Sequence, residues 1–93
     1  MNFKIYHNEE NGQFEILEGE HKAEIVYRIN EGNYYIMHTG VPKELANQGI
    51  GEALALHALK YGQKLGLQIV IYCPFVKVWA KRNSEWRKSE SEI

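Results

Sequence analysis

Gln48-Gly49-Ile50-Gly51-Glu52-Ala53 is the segment of this 93-residue chain whose residue types say most about chemistry. The free N–H groups of a helix's first turn point out of its end, and two glycines let an anion approach that backbone closely. A phosphate can be cradled in this way. A Walker loop needs Gly-Lys-Ser/Thr, which occurs nowhere, and the dinucleotide fingerprint needs a third small residue where Leu54 stands. Both better-known phosphate loops are therefore excluded. The alternative without a ligand is a glycine turn that merely leads into a helix.

Cys73, the single cysteine, precedes Pro74, and proline suits the first helical position because its missing N–H costs nothing there. Cys73 is then an N-cap, where the helix dipole favours the thiolate and makes it a candidate nucleophile. A buried, inert thiol is its other reading. His38 lies near the end of an apolar strand, on the line that the phosphate site and Cys73 flank. Its imidazole is a candidate general base toward an amine or toward Cys73, with a hydrogen-bonded structural histidine as the alternative.

His57 falls on an apolar helical stripe, and His7 and His21 border turns, so no metal is expected from their spacing. Trp79 is either core bulk or the wall of a ligand groove. Lys77, Lys81, Arg82, Arg87 and Lys88 form a basic cluster, read as solvated surface. Its second role is contact with phosphates, since Lys77 and Lys81 share a helix face.

The elements that must position these residues are legible in the periodicity. Phe3 and Ile5, Phe14 and Ile16, and Ala23, Ile25, Tyr27 and Ile29 alternate as in strands, with turn residues at Asn11-Gly12, Gly19 and Gly32 between them. An antiparallel meander follows. Tyr34 to Thr39 predicts a central strand, with Tyr34, Ile36 and His38 on one face and Tyr35, Met37 and Thr39 on the other. Ile50, Ala53, Leu54, His57, Ala58, Tyr61 and Leu65 then recur at helical spacing, giving a helix from about Gly49 to Leu65 that Gly66 caps. Leu67 to Tyr72 completes a βαβ unit, and a short helix runs from Pro74 to about Arg82.

Composition sets the outer bounds. With 44% hydrophobic residues the chain can bury one small core, and residues 1–86 are expected to form a single domain followed by a polar, frayed tail at 87–93. All twelve acids are glutamate, which excludes an EF-hand, an aspartic dyad and any triad that needs Asp. A net charge of −1 gives no nucleic-acid or polybasic membrane signature. One cysteine allows no internal disulfide, and no apolar run has membrane-spanning or signal-peptide character, so a cytoplasmic location is expected.

Antiparallel strands, a central strand, Gln48-x-x-Gly51-x-Ala53 opening a helix and then a parallel strand form an order that resembles the GNAT acyltransferase superfamily. Its signature is Gln/Arg-x-x-Gly-x-Gly/Ala. The flanking His38-Thr39-Gly40-Val41-Pro42, Glu44-Leu45 and Cys73-Pro74-Phe75 are similar to the small single-domain members. The resemblance implies an α/β (α+β) fold with a mixed, mostly antiparallel sheet, one long and one short helix, and a truncated C-terminal part. It also implies acetyl-CoA as acyl donor, with the backbone amides of Gln48, Gly49, Ile50, Gly51, Glu52 and Ala53 on its pyrophosphate. Val41 would align the pantetheine arm.

The chain departs from the pattern twice. Ala46-Asn47 stands where relatives often have Arg-Gly, and Glu52 places a carboxylate in the first helical turn, where it competes with a phosphate for the same helix end. The acceptor pocket of such short members is expected to be shallow, open, and completed by a partner such as a second copy.

Transfer of an acetyl group from the CoA thioester to an amine is the function implied. It proceeds either by direct attack, with Cys73 or water protonating the leaving thiolate, or through acylation of Cys73 assisted by His38. The rivals are a CoA-binding or thiol-exchange protein that uses Cys73 without acyl transfer, and a small interaction module.

Overall fold

The computed structural model describes residues 3–83 and 90–92. Four antiparallel strands come first: β1 (Tyr6–Asn8), β2 (Gln13–Glu18), β3 (His21–Asn30) and β4 (Asn33–Gly40). After a 3-10 turn at Lys43–Leu45, helix α1 (Ile50–Leu65) crosses to β5 (Gln68–Ile71), which lies parallel to β4. Helix α2 (Pro74–Arg82) follows, and β6 (Glu90–Glu92) adds a short parallel strand beside β5. The sheet therefore has the order β1-β2-β3-β4-β5-β6, mixed and mostly antiparallel, as expected. Trp86, the basic residues Arg87 and Lys88, and position 93 of the expected frayed tail lie outside the described residues.

One face of the sheet is covered because its side chains alternate with the pleat. Phe14, Ile16, Ala23, Ile25, Tyr27, Tyr34, Ile36, Ile69 and Ile71 are buried on it, and α1 lays Ile50, Leu54, Ala55, Ala58, Leu59 and Gly62 against them at helical spacing. Leu65, expected on that stripe, is exposed because it comes in the last turn, just before the left-handed cap at Gly66. The other end of the helix is also set by glycine. Gly49 takes φ +80°, a conformation that side chains with a Cβ rarely adopt.

The central strand corrects one expectation. Val26 of β3 pairs with His38 of β4, but the next residue, Tyr27, pairs with Ile36, so Met37 is an extra residue with no partner. Such a β-bulge resets the alternation. Thr39, paired with Ile25, joins Tyr34 and Ile36 on the covered face. His38, expected to share that face, is exposed on the opposite one beside Val26 and Glu24.

β4 also outlasts its neighbour. The β4–β5 ladder stops at Ile36 and Ile71, where Ile36 C=O accepts from the N–H groups of both Tyr72 and Cys73 (2.9 and 3.2 Å). Pro74 then starts α2, while β4 continues to Gly40, paired among the described residues with β3 alone. The two strands part at this point.

Candidate functional site

Where β4 and β5 part, the end of β4, the first turn of α1 and the start of α2 enclose an open groove of about 610 Å³. Thr39, Val41 and the 3-10 turn with Ala46 and Asn47 form one side, Gly49 to Glu52 the helical end, and Phe75 of α2 the other wall. Its helical end presents unused donors. Ala53 N–H gives the first bond of α1, to Gly49 C=O at 3.0 Å, and among the described residues no acceptor takes the N–H groups of Ile50, Gly51 or Glu52. Three amides at a positive helix end suit an anion.

The structure thus separates the loop residues that sequence treats alike. Gly49, Ile50, Gly51 and Glu52 line the groove, Ile50 through its backbone because its side chain is buried. Gln48 and Ala53 flank it without lining it, and Ala53 has already committed its amide. Among the described residues no lysine or arginine is on the wall, whereas Glu52 is.

Gly51 lets the groove wall close tightly as well as letting a ligand approach. A Cβ there would stand 3.1 Å from Cζ of Phe75 and 3.7 Å from Cγ2 of Val41. Phe75 closes this tightly against the helix because Gly51 has no side chain. Sequence reading missed Phe75 and Thr39 as site residues. The available signal for Phe75 was an aromatic residue outside the buried Val76-Ala80 stripe of α2.

Behind the groove wall is the thiol. Cys73 is the N-cap of α2, with its C=O accepting from Lys77 N–H (3.0 Å), and only 4% of the residue is exposed. Its side-chain hydrogen-bond partner is Thr39, Oγ1 to Sγ 3.3 Å. Thr39 lines the groove and Cys73 does not, so the hydroxyl stands between the thiol and anything bound there. His38 is not brought to this pair. Its Nε2 faces Glu24 Oε2 at 3.7 Å on the other side of the sheet, with 60% of its side chain exposed.

The remaining candidates have structural surroundings. His7 stacks on Phe14 and hydrogen-bonds Tyr27 through Nε2 (2.6 Å), while His21 faces Glu44. His57 sits edge-on to Phe14, and burial first, then His7 and Lys60, lowers its pKa. Burial and the neighbouring Tyr61 push the pKa of Tyr27 up to about 12. Trp79 packs against the core instead of lining the groove. Lys77 borders a separate hollow with Asn33, Tyr35 and Tyr72, and Lys81 and Arg82 are exposed. Among the described residues no cluster of three or more His, Cys, Asp or Glu side chains is arranged to hold a metal ion.

Comparison with known proteins agrees with this architecture. No curated protein matches the sequence significantly. Among solved structures, a GCN5-like protein from Staphylococcus aureus, described as a candidate N-acetyltransferase, superposes with a TM-score of 0.76 at 27% identity. The match covers 99% of this chain and 91% of that one. The family model for GCN5-related N-acetyl-transferase matches residues 13–89, which span β2 to β5, the glycine loop, the groove and Cys73. The chain belongs to the GCN5-related N-acetyltransferase family.

Proposed function

We propose that the protein transfers an acetyl group from acetyl-CoA to an amine by direct attack, with Cys73 supplying the proton for the departing CoA sulfur. The observation that carries this reading is the groove itself, which runs from three free amides at the start of α1 to Thr39 and, one hydrogen bond behind it, Cys73. The CoA pyrophosphate rests on the amides of Ile50, Gly51 and Glu52. Gln48, Gly49 and Ala53 shape that turn, and Val41 guides the pantetheine arm.

Burial favours a proton donor over a nucleophile. A thiol that is 4% exposed and does not line the groove is poorly placed to attack a thioester there, whereas a proton can pass through the hydroxyl in front of it. His38, paired with Glu24 on the opposite face of the sheet, is outside the groove, so the attacking amine enters as its free base and sheds its proton to solvent at the open mouth.

Incubation with acetyl-CoA and a panel of amines, followed by product detection and intact protein mass, tests the reading. Amine acetylation with unmodified protein is expected. An acetyl adduct on Cys73 would instead make it the nucleophile, and a CoA disulfide without acetylated amine would make the protein a thiol-exchange module. Cys73→Ala should retain donor binding and lose about 10²-fold or more in turnover, the range that a positioned acid supplies.

A further inference from the structure

We propose that Thr39 is the proton relay of this reaction, carrying the Cys73 proton to the CoA sulfur. The inference rests on the direct-transfer reading above and deepens it by naming the group that meets the leaving atom. Thr39 is the residue that both lines the groove and hydrogen-bonds the thiol. A hydroxyl donates and accepts at once, so it can release its own proton forward while taking another from behind.

The bulge explains why this residue can serve. Because Met37 is unpaired, Thr39 turns toward the covered face, while His38, the neighbouring residue with the more familiar acid–base chemistry, turns away. Thr39 is also β-branched, which restricts χ1 and so limits the positions Oγ1 can take beside Sγ, 3.3 Å away. Glu52, the carboxylate on the groove wall, belongs to the opposite, helical end.

The step balances without an added reactant. The amine nitrogen forms its bond to the acyl carbon, and the tetrahedral intermediate collapses with cleavage of the carbon–sulfur bond to CoA. The CoA sulfur keeps that electron pair and takes the Oγ1 proton, as Oγ1 takes the Sγ proton. The nitrogen loses its extra proton to solvent at the open mouth of the groove. Cys73, left as thiolate, regains one proton from solvent through Thr39 once CoA has gone, and the sum is amine plus thioester giving amide plus thiol.

A double-mutant cycle tests the relay, with hydroxylamine as a small neutral acceptor and acetohydroxamate as the product measured. Thr39→Val keeps the branched shape and removes the hydroxyl, so turnover should fall about 10²-fold with the KM for acetyl-CoA unchanged. Thr39→Ser should restore most of the rate. Cys73→Ala should lose a similar factor, and the double variant should lose no more than either single one, because both interrupt one proton path. The solvent deuterium isotope effect on turnover should be present in the wild type and in Thr39→Ser, and absent in Thr39→Val.

Thr39→Val turning over like the wild type, or losses that multiply in the double variant, would overturn the relay while leaving direct transfer standing. A wild-type protein that binds acetyl-CoA but forms no acetohydroxamate above the spontaneous rate would remove the underlying reading, and the relay with it. Circular dichroism of each variant separates loss of fold from loss of transfer. If Thr39→Val unfolds, the Ser variant and the isotope effect decide the matter, since an unaltered rate in deuterium oxide overturns the relay.

Discussion

Phe75 lies where a side chain on Gly51 would begin, 3.1 Å from that missing Cβ to Cζ of the ring. The groove wall on α2 is therefore set by the absence of an atom on α1. Phe75 is 41% exposed and can yield outward, so Gly51→Ala should fold with a stability change within about 0.5 kcal/mol. Gly51→Val adds a branched side chain on the groove wall where the donor must approach, and acetyl-CoA affinity should drop at least tenfold, about 1.4 kcal/mol. Titration calorimetry on both variants checks this. Equal affinity in a folded Val variant would show that the donor does not use this wall.

Glu52 stands on the groove at the positive end of α1, and no other described residue on the wall is charged. Its carboxylate favours the helix end when the groove is empty and opposes an incoming phosphate. Glu52→Gln should tighten acetyl-CoA binding while lowering the melting temperature of the free protein slightly, for a stability cost of about 0.3 to 1 kcal/mol. Weaker binding would place Glu52 among the groups that hold the donor.

Tyr34 fixes the middle of α1 in a similar way. Its ring would stand 2.5 Å from a Cβ on Gly62, and its hydroxyl donates to Ala58 C=O at 2.8 Å, so the ring has little room to move. Alanine in a helix interior normally gains about 0.8 to 1 kcal/mol over glycine. Overpacking a rigid core costs about 1 to 3 kcal/mol, and a wholly buried tyrosine puts this site at the upper end. Gly62→Ala should be destabilising by about 1 kcal/mol or more in urea denaturation, whereas a stabilised variant would show that the ring can shift.

Glu15 gives the protein a pH dependence. Its carboxylate accepts from Asn8 (2.9 Å) and Gln13 (2.7 Å) with Lys22 at 3.9 Å, and the bond from Asn8 leads in holding its pKa below the ordinary 4.5, against an opposing contribution from burial. A depressed folded pKa stabilises the protein above the unfolded value, and that contribution is lost as pH falls through the folded one. Glu15→Gln should cost roughly 1.5 kcal/mol at pH 7. The gap between the two proteins should close below about pH 4.5, and a gap that is constant from pH 7 to pH 3 would assign the effect to packing.

Most of the fold could be read from the chain because local pattern and tertiary role agree. Ala23, Ile25 and Tyr27 alternate and are buried; Leu54, Ala58 and Leu59 recur at helical spacing and face the sheet. The glycine loop and Cys73 were legible because glycine before a helix and cysteine before proline each have a local conformational meaning. The faces of His38 and Thr39 were not, since alternation assumes one-to-one pairing and the extra Met37 is defined only by the partner strand. The dependence of Phe75 on Gly51 joins two helices and leaves no periodic trace.

The separation of β4 from β5 has a consequence for how the molecule folds and opens. β2, β3 and β4 follow one another through short turns, so their ladders close cheaply, while Asn33 must wait for Gln68, at the far end of the α1 crossover, before the parallel pairing can begin. The groove lies within that late, non-local half. A parting of β5 and α2 from β4 would dismantle the groove and separate Thr39 from Cys73 while the β2–β3–β4 ladders stay paired. A ligand held in the groove is thermodynamically coupled to that one opening. Amide hydrogen exchange at Val70 and Ile71 should slow on addition of acetyl-CoA while exchange at Ile16 and Ala23 stays constant, and uniform protection of both sets would show that the molecule opens only as a whole.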